Sequence, residues 1–257
     1  MGVEPNTSDR RPSPRELSRL SRLINPSRIE AFFLELGLSM LDIEDTECES
    51  YNLPRITRIT KLFLKWTIAY PNKTIHDIQQ AMEAVNMATD RINDVLGTDE
   101  ESQVQGMVPL EVWNRVPSED EIRKIVENID KMYFNMCLEL GLSPPTIAQC
   151  ELCHPTFGTR MSALLRCWID RYQTEATIGR LLTAMKVCQM DWHTTCYERL
   201  MMIQCYERLM MIRCYERLMM IQCYERLMMI QCYERLMMIR CYERLMMIHC
   251  YERLMMI

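Results

Sequence analysis

The amino-acid sequence predicts an all-α protein, with two tandem six-helix antiparallel bundles followed by a helical repeat tail. Three observations carry this. Only 7 glycines and 11 prolines occur in 257 residues, so a turn-rich β architecture has little to build on. Apolar residues recur at helical spacing from Arg28 onward. The hexapeptide LELGLS stands at residues 34–39 and again at 138–143, the sign of an internal duplication.

The elements follow in order. Residues 1–25 are rich in Ser, Pro and Arg and read as a flexible basic tail; Ser13-Pro14 is a phosphorylation candidate there. A first bundle is expected over 26–97. Ile29, Phe32, Phe33 and Leu36 form one helical face that Gly37 ends. A short segment carries Leu41 and Ile43. Pro54 then opens a longer helix burying Ile56, Ile59, Phe63, Trp66 and Tyr70, closed by Pro71. Thr74 caps a helix with Ile75, Ile78, Met82 and Val85, and an amphipathic stretch from Met87 to Leu96 runs to Gly97.

Residues 98–117 begin with the acidic run TDEESQ and read as a linker that packs in part on its neighbours. A second bundle is expected over 118–203. Ser118 and Glu121 make a capping box for one periodic helix that carries Ile122, Ile125, Val126, Ile129, Met132, Tyr133 and Met136. From there the halves run in parallel: Trp66 matches Trp168, Tyr70 matches Tyr172, Thr74-Ile75 matches Thr177-Ile178, and Ala81-Met82 matches Ala184-Met185. Residues 204–257 continue seven copies of CYERLMMI that begin at Cys196, at a nine-residue period. Nine residues of α-helix make about two and a half turns, so alternate copies face opposite sides and no single apolar seam forms. The first copy supplies a last helix for the second bundle through Trp192, Cys196, Leu200 and Ile203.

Charge and chemistry exclude several classes. A net charge of −5 implies no broad attraction to nucleic acid or anionic lipid. With no signal-peptide run and no stretch of about 18 apolar residues, a cytoplasmic chain outside the membrane is expected. Met1-Gly2 is not read as a myristoylation site, because Asn6 stands where Ser or Thr belongs. Of 13 cysteines, those outside the repeats (Cys48, Cys137, Cys150, Cys153, Cys167, Cys188) read as reduced core thiols. Cys150, Cys153 and His154 spell a haem-attachment or half-zinc motif, but no second ligand pair lies at finger spacing, and His76, His154, His193 and His249 form no zinc-protease pair. No cofactor or metal is expected. Phosphate-loop and nucleophile-elbow patterns are absent, so no catalytic residue is nominated.

Both halves resemble the death domain. The family's spacing of bulky residues, then Leu-Gly-Leu, then Ile is filled by Tyr133, Met136, Cys137, Leu140, Gly141, Leu142 and Ile147, and in the first half by Ile29, Phe32, Phe33, Leu36, Gly37, Leu38 and Ile43. The later signature appears as Leu164-Leu165 with Trp168 and as Leu62-Phe63 with Trp66, and Ala176-Thr177 matches the start of the fifth helix. The resemblance spans 26–97 and 118–198 and is closer in the second copy. The family's first Trp is Tyr133 in one copy and Ile29 in the other, which leaves the first bundle open between a death domain and a neighbouring subfamily such as a caspase-recruitment or death-effector domain. The resemblance implies a non-enzymatic signalling adaptor in apoptosis or innate immunity. It binds other death-fold proteins, and can self-associate, through asymmetric charge-selected contacts. The alternative is a structural protein oligomerised by the C-terminal repeats.

Charge patterning nominates the partner-binding residues. Between Glu30 and Glu49 the sequence has acids and no base, ending in Glu44, Asp45, Glu47 and Glu49; the following helix presents Arg55, Arg58, Lys61 and Lys65 within one third of its circumference. The sparser counterparts in the second half are Arg160, Arg166 and Arg171. Opposite patches on different faces favour head-to-tail contacts.

Overall fold

The structure is a computed structural model that describes residues 9–97, 104, 108–191, 217–222, 224–229, 231 and 233–240. The chain divides into two units, Met1–Leu200 and Met201–Ile257. Among the described residues every regular element is a helix.

The first helix, α1 (Pro14–Leu20), begins where Ser13 and Glu16 close a capping box and Pro14 presets the first turn. The Arg10 guanidinium clamps the Glu16 carboxylate from outside. Leu17, Leu20 and, beyond the helix, Ile24 then enter the core at 1%, 0% and 2% exposure. The flexible tail expected for residues 1–25 is therefore corrected over the described part, 9–25; residues 1–8 lie outside the described residues. Its arginines are tertiary partners: Arg11 donates to the Thr67 carbonyl, and Arg15 and Arg19 bind Glu139.

A 3-10 turn, Pro26–Arg28, leads into α2 (Ile29–Glu35), followed by α3 (Met40–Glu49), α4 (Arg55–Ala69), α5 (Ile75–Ala84) and α6 (Ile92–Gly97). Residues 87–91, read as the start of a helix, are a turn entered through Asn86 at φ 55°. Phe32, Phe33, Phe63 and Trp66 meet edge to face at the centre, with centroids 5.0 to 6.3 Å apart. On α3, Leu41 is 70% exposed and Ile43 is buried.

In the second half α7 (Leu110–Trp113), α8 (Glu119–Val126), α9 (Tyr133–Glu139), α10 (Pro144–Cys153), α11 (Phe157–Tyr172) and α12 (Ile178–Val187) surround a separate buried cluster. The linker expected over 98–117 contributes Val104, Val108, Val112 and Trp113 to that cluster. Trp113 lies so close to Gly179 that an added Cβ would sit 2.3 Å from the indole. The single helix expected through Met136 is two, α8 and α9. Asp130 accepts the Met132 N–H at 2.7 Å, an Asx turn that breaks the helix while the apolar period runs on.

Local geometry recurs between the halves. Arg115 clamps Glu121 beside the Ser118 capping box as Arg10 clamps Glu16 beside Ser13. The N–H of Ile75 reaches the Arg10 carbonyl, and that of Ile178 reaches the Arg115 carbonyl. Gly37 and Gly141 end their helices at φ 98° and 88°. After each, a Leu N–H reaches five residues back, Leu38 to Phe33 and Leu142 to Cys137. The Tyr70 hydroxyl donates to the Gly37 carbonyl and the Tyr172 hydroxyl to the Gly141 carbonyl. A side chain at either glycine would meet that hydroxyl as well as the positive φ.

The two buried clusters do not merge; a buried polar seam lies between them. Helices α1 and α4 pack on α9. Arg19 forms a forked ion pair with Glu139 at 3.0 Å, the two side chains being 7% and 1% exposed, and Arg15 adds a bond at 2.9 Å. Asn135, fully buried, donates to Ser18 and Thr60 at 2.8 Å and accepts from Thr57 at 2.6 Å. Every side-chain hydrogen-bonding group of Asn135 is thereby used.

The second unit's described residues, within 217–240, are helical. Leu218, Met220 and Ile221 are 60%, 73% and 59% exposed and Met229 is 74% exposed, so apolar side chains stand on all sides. The last helix expected from Trp192 to Ile203 lies outside the described residues.

Two expectations follow. Glu139→Ala leaves the Arg19 guanidinium buried without its counter-charge, and urea unfolding should show a loss of about 3 kcal/mol, whereas Glu35→Ala, at the exposed equivalent position, should cost little. Burial pushes the Glu16 carboxyl up, but Arg10 and the Ser13 N–H and O–H outweigh it and hold the group at about 2, below its ordinary 4.5. A carboxyl depressed on folding contributes stability above its unfolded value that is lost as pH falls through the folded one. Stability measured from pH 4.5 down to 2 should fall less steeply in Glu16→Gln than in the parent.

Candidate partner-binding surfaces

The charged residues nominated from sequence lie on α3, α4 and α11, and packing divides them into exposed and internally used groups. On α3 the helical period that buries Ile43 and Thr46 turns the acids outward: Glu44, Asp45 and Glu49 are exposed and Glu47 is partly so. This acidic surface is presented intact.

The basic strip of α4 is not a uniform patch. Arg55, in the first turn, is exposed. Arg58 is partly buried, and its Nε is enclosed without a hydrogen-bond partner among the described residues. Lys61 lies over the Phe134 ring of α9 at 5.3 Å, at the rim of the polar seam. Lys65 binds the Asp42 carboxylate at 3.0 Å and its carbonyl at 3.2 Å, tying α4 to α3. The Ser39 O–H, then Lys65 and the Ser39 N–H, hold the Asp42 carboxyl below its usual range. The acidic and basic patches expected on different faces lie on neighbouring helices, α3 and α4.

On α11 the three arginines play different parts. Arg166 is exposed and pairs with Glu119 of α8 at 2.7 Å. Arg160 donates from Nε to the His154 carbonyl at 3.3 Å. Arg171 stands over its neighbour Tyr172 at 5.7 Å, facing solvent. They are not brought together into one patch.

The polar seam marks which faces are already occupied. Face α1/α4 of the first half meets α9 of the second. The recurrent geometry pairs α1 with α8, α2 with α9 and α4 with α11, so the corresponding unoccupied faces are α8/α11 and α2. On these, Lys124 stands where Arg19 does, Thr159 and Ser162 where Thr57 and Thr60 do, and Glu35 where Glu139 does. Lys124 and Ser162 are partly exposed, and Thr159 and Glu35 are exposed. Sequence reasoning did not reach these residues. The matched LELGLS hexapeptides contain both glutamates, and nothing local distinguishes the buried one from the exposed one.

Among the described residues no group of three or more His, Cys, Asp or Glu side chains could hold a metal ion, and no helix is long and apolar enough to cross a membrane. In the motif at 150–154, Cys150 is buried and Cys153 exposed. Burial, with Cys167 close by, pushes the Cys150 thiol up to about 11, which keeps it protonated near neutral pH.

No curated protein and no solved structure matches this chain. Residues 119–192, which run from the start of α8 past the end of α12, match the family model of the Death domain, and over those residues the chain is similar to a death-fold protein.

Proposed function

We propose that this chain is a non-enzymatic cytoplasmic signalling adaptor built from two death-fold bundles, which binds other death-fold domains and further copies of itself. The observation that carries this is the Death domain match over residues 119–192. The same capping clamp, glycine turn, tyrosine hydrogen bond and buried Trp between residues 10 and 97 support extending it to the first half. The first bundle on this reading begins near Arg10. An apoptotic or innate immune pathway is the setting that such modules suggest.

The chain carries inside itself one heterologous contact of the kind the proposal requires. One face of the first half meets a different face of the second, and a contact of that type leaves a complementary pair unused at the two ends. Lys124 with Thr159 and Ser162 at one end, and Glu35 at the other, fit a second copy docked head to tail, with Arg166 and the acidic α3 surface at the rims. Charge at such a rim sets association rate and partner choice.

Charge reversal tests this. Lys124→Glu or Glu35→Lys alone should weaken concentration-dependent self-association, seen by light scattering, by about tenfold, and mixing the two variants should restore it, because both junctions between unlike variants pair opposite charges. Equal association of parent and single variants overturns the docking mode.

A second reading has a specific observation behind it: the apolar, all-exposed helix described within 217–240. On this reading the repeats drive oligomerisation and the bundles are carried along. A chain ending at Ile203 separates the two. Retained capture of death-fold partners supports the adaptor, and loss of all assembly supports the repeat-driven protein.

A further inference from the structure

Beside the polar seam, the turn after α1, helix α6 and the C-terminal end of α12 enclose a cleft of about 480 Å³. Three guanidiniums line it, from Arg19, Arg22 and Arg91, against the single carboxylate of Asp94. Gln189 adds an uncharged amide. Arg19 is neutralised from behind by Glu139. Arg22 and Arg91 have no ion-pair partner among the described residues.

Arg22 is the unusual member. Its Nε and Nη2 are fully enclosed, and neither has a hydrogen-bond partner among the described residues. An enclosed guanidinium with unmet N–H groups carries the desolvation penalty of a charge without the compensating bond. On the α12 side, the buried Cys188 thiol lies within the electrostatic reach of Glu139 and of Arg22 and Arg19. At the end of α12 the carbonyls of Ala184, Met185 and Lys186 already accept the N–H groups of Cys188, Met190 and Gln189.

The missing component is an anion. Arg22 and Arg91 reach the cleft from different elements, and a tetrahedral oxyanion, whose oxygens diverge, can offer a separate oxygen pair to each guanidinium. The volume accommodates a phosphate group with a substituent attached. We propose that this cleft is a phosphate-binding site, in which Arg22 and Arg91 hold the oxyanion between the first half of the chain and the end of α12.

Bound there, the anion joins elements of both halves on the side of the seam away from Thr57 and Asn135, and its occupancy stabilises their mutual packing. The site is independent of the adaptor reading: it stands or falls on these arginines alone.

The test uses the full chain and inorganic pyrophosphate, with inorganic phosphate as a second arm, both at fixed ionic strength. Saturable broadening of the phosphorus resonance is expected with the parent, together with a rise in thermal midpoint that tracks saturation. Arg91→Gln, an exposed position that leaves the core untouched, should weaken binding roughly tenfold, and Arg22→Gln at least as much. Arg28→Gln, an exposed arginine remote from the cleft, should bind as the parent does. Tighter binding of pyrophosphate than phosphate identifies a substituted phosphate as the ligand class, and equal binding identifies the free ion. Non-saturable broadening, unchanged affinity in Arg91→Gln, or an equal loss in Arg28→Gln overturns the site. Should Arg22→Gln fail to fold, Arg91→Gln with its Arg28 control decides alone.

Discussion

The carboxylate of Glu139 is the constraint on which the arrangement of the first unit rests. A charge buried to 1% exposure is tolerable only when its oxygens are fully engaged. Here the partners come from a helix more than a hundred residues earlier in the chain. To supply them, α1 must form and lie across α9, with its arginines at fixed spacing. Ser18, on the same helix, then reaches Asn135. The seam is a poor source of net stability, because desolvation consumes much of what the ion pair returns, but it admits few alternative alignments. A greasy interface would tolerate sliding; this one does not.

The sequence revealed those parts of the fold whose cause is local. Gly37 and Gly141 had to be glycines because each ends a helix at positive φ against a tyrosine hydroxyl. Trp66 and Trp168 had to be interior because each lies on the apolar stripe of a long helix, and both are fully buried. What escaped was tertiary in origin. Helix α1 was obscured by its Ser, Pro and Arg content, although Leu17, Leu20 and Ile24 have helical spacing; its arginines are compatible with order only because Glu16 and Glu139 meet them. The break between α8 and α9 was hidden because an Asx turn at Asp130 leaves the apolar rhythm almost undisturbed.

The candidate surfaces were legible to a lesser degree, for the same reason. The acids of α3 face outward as their helical phase requires. On α4 and α11, however, a cation's sequence position says that it is off the core stripe and not whether another element covers it. Lys61 is met by an aromatic ring from the other half, Lys65 by a carboxylate of the preceding helix, and Arg166 by Glu119. Only the assembled bundle distinguishes a charge offered to a partner from one already spent.

Asn135 has a consequence for how such a chain can change over evolutionary time. Its counterpart in the first half is Ala31, and the residues it bonds, Ser18, Thr57 and Thr60, have as counterparts Arg123, Thr159 and Ser162. Replacing the second half by a duplicate of the first would set a methyl group against three enclosed hydroxyls, and exchanging their order would set it against an arginine and two hydroxyls. The two halves are therefore not interchangeable: each is committed to its place by a single amide.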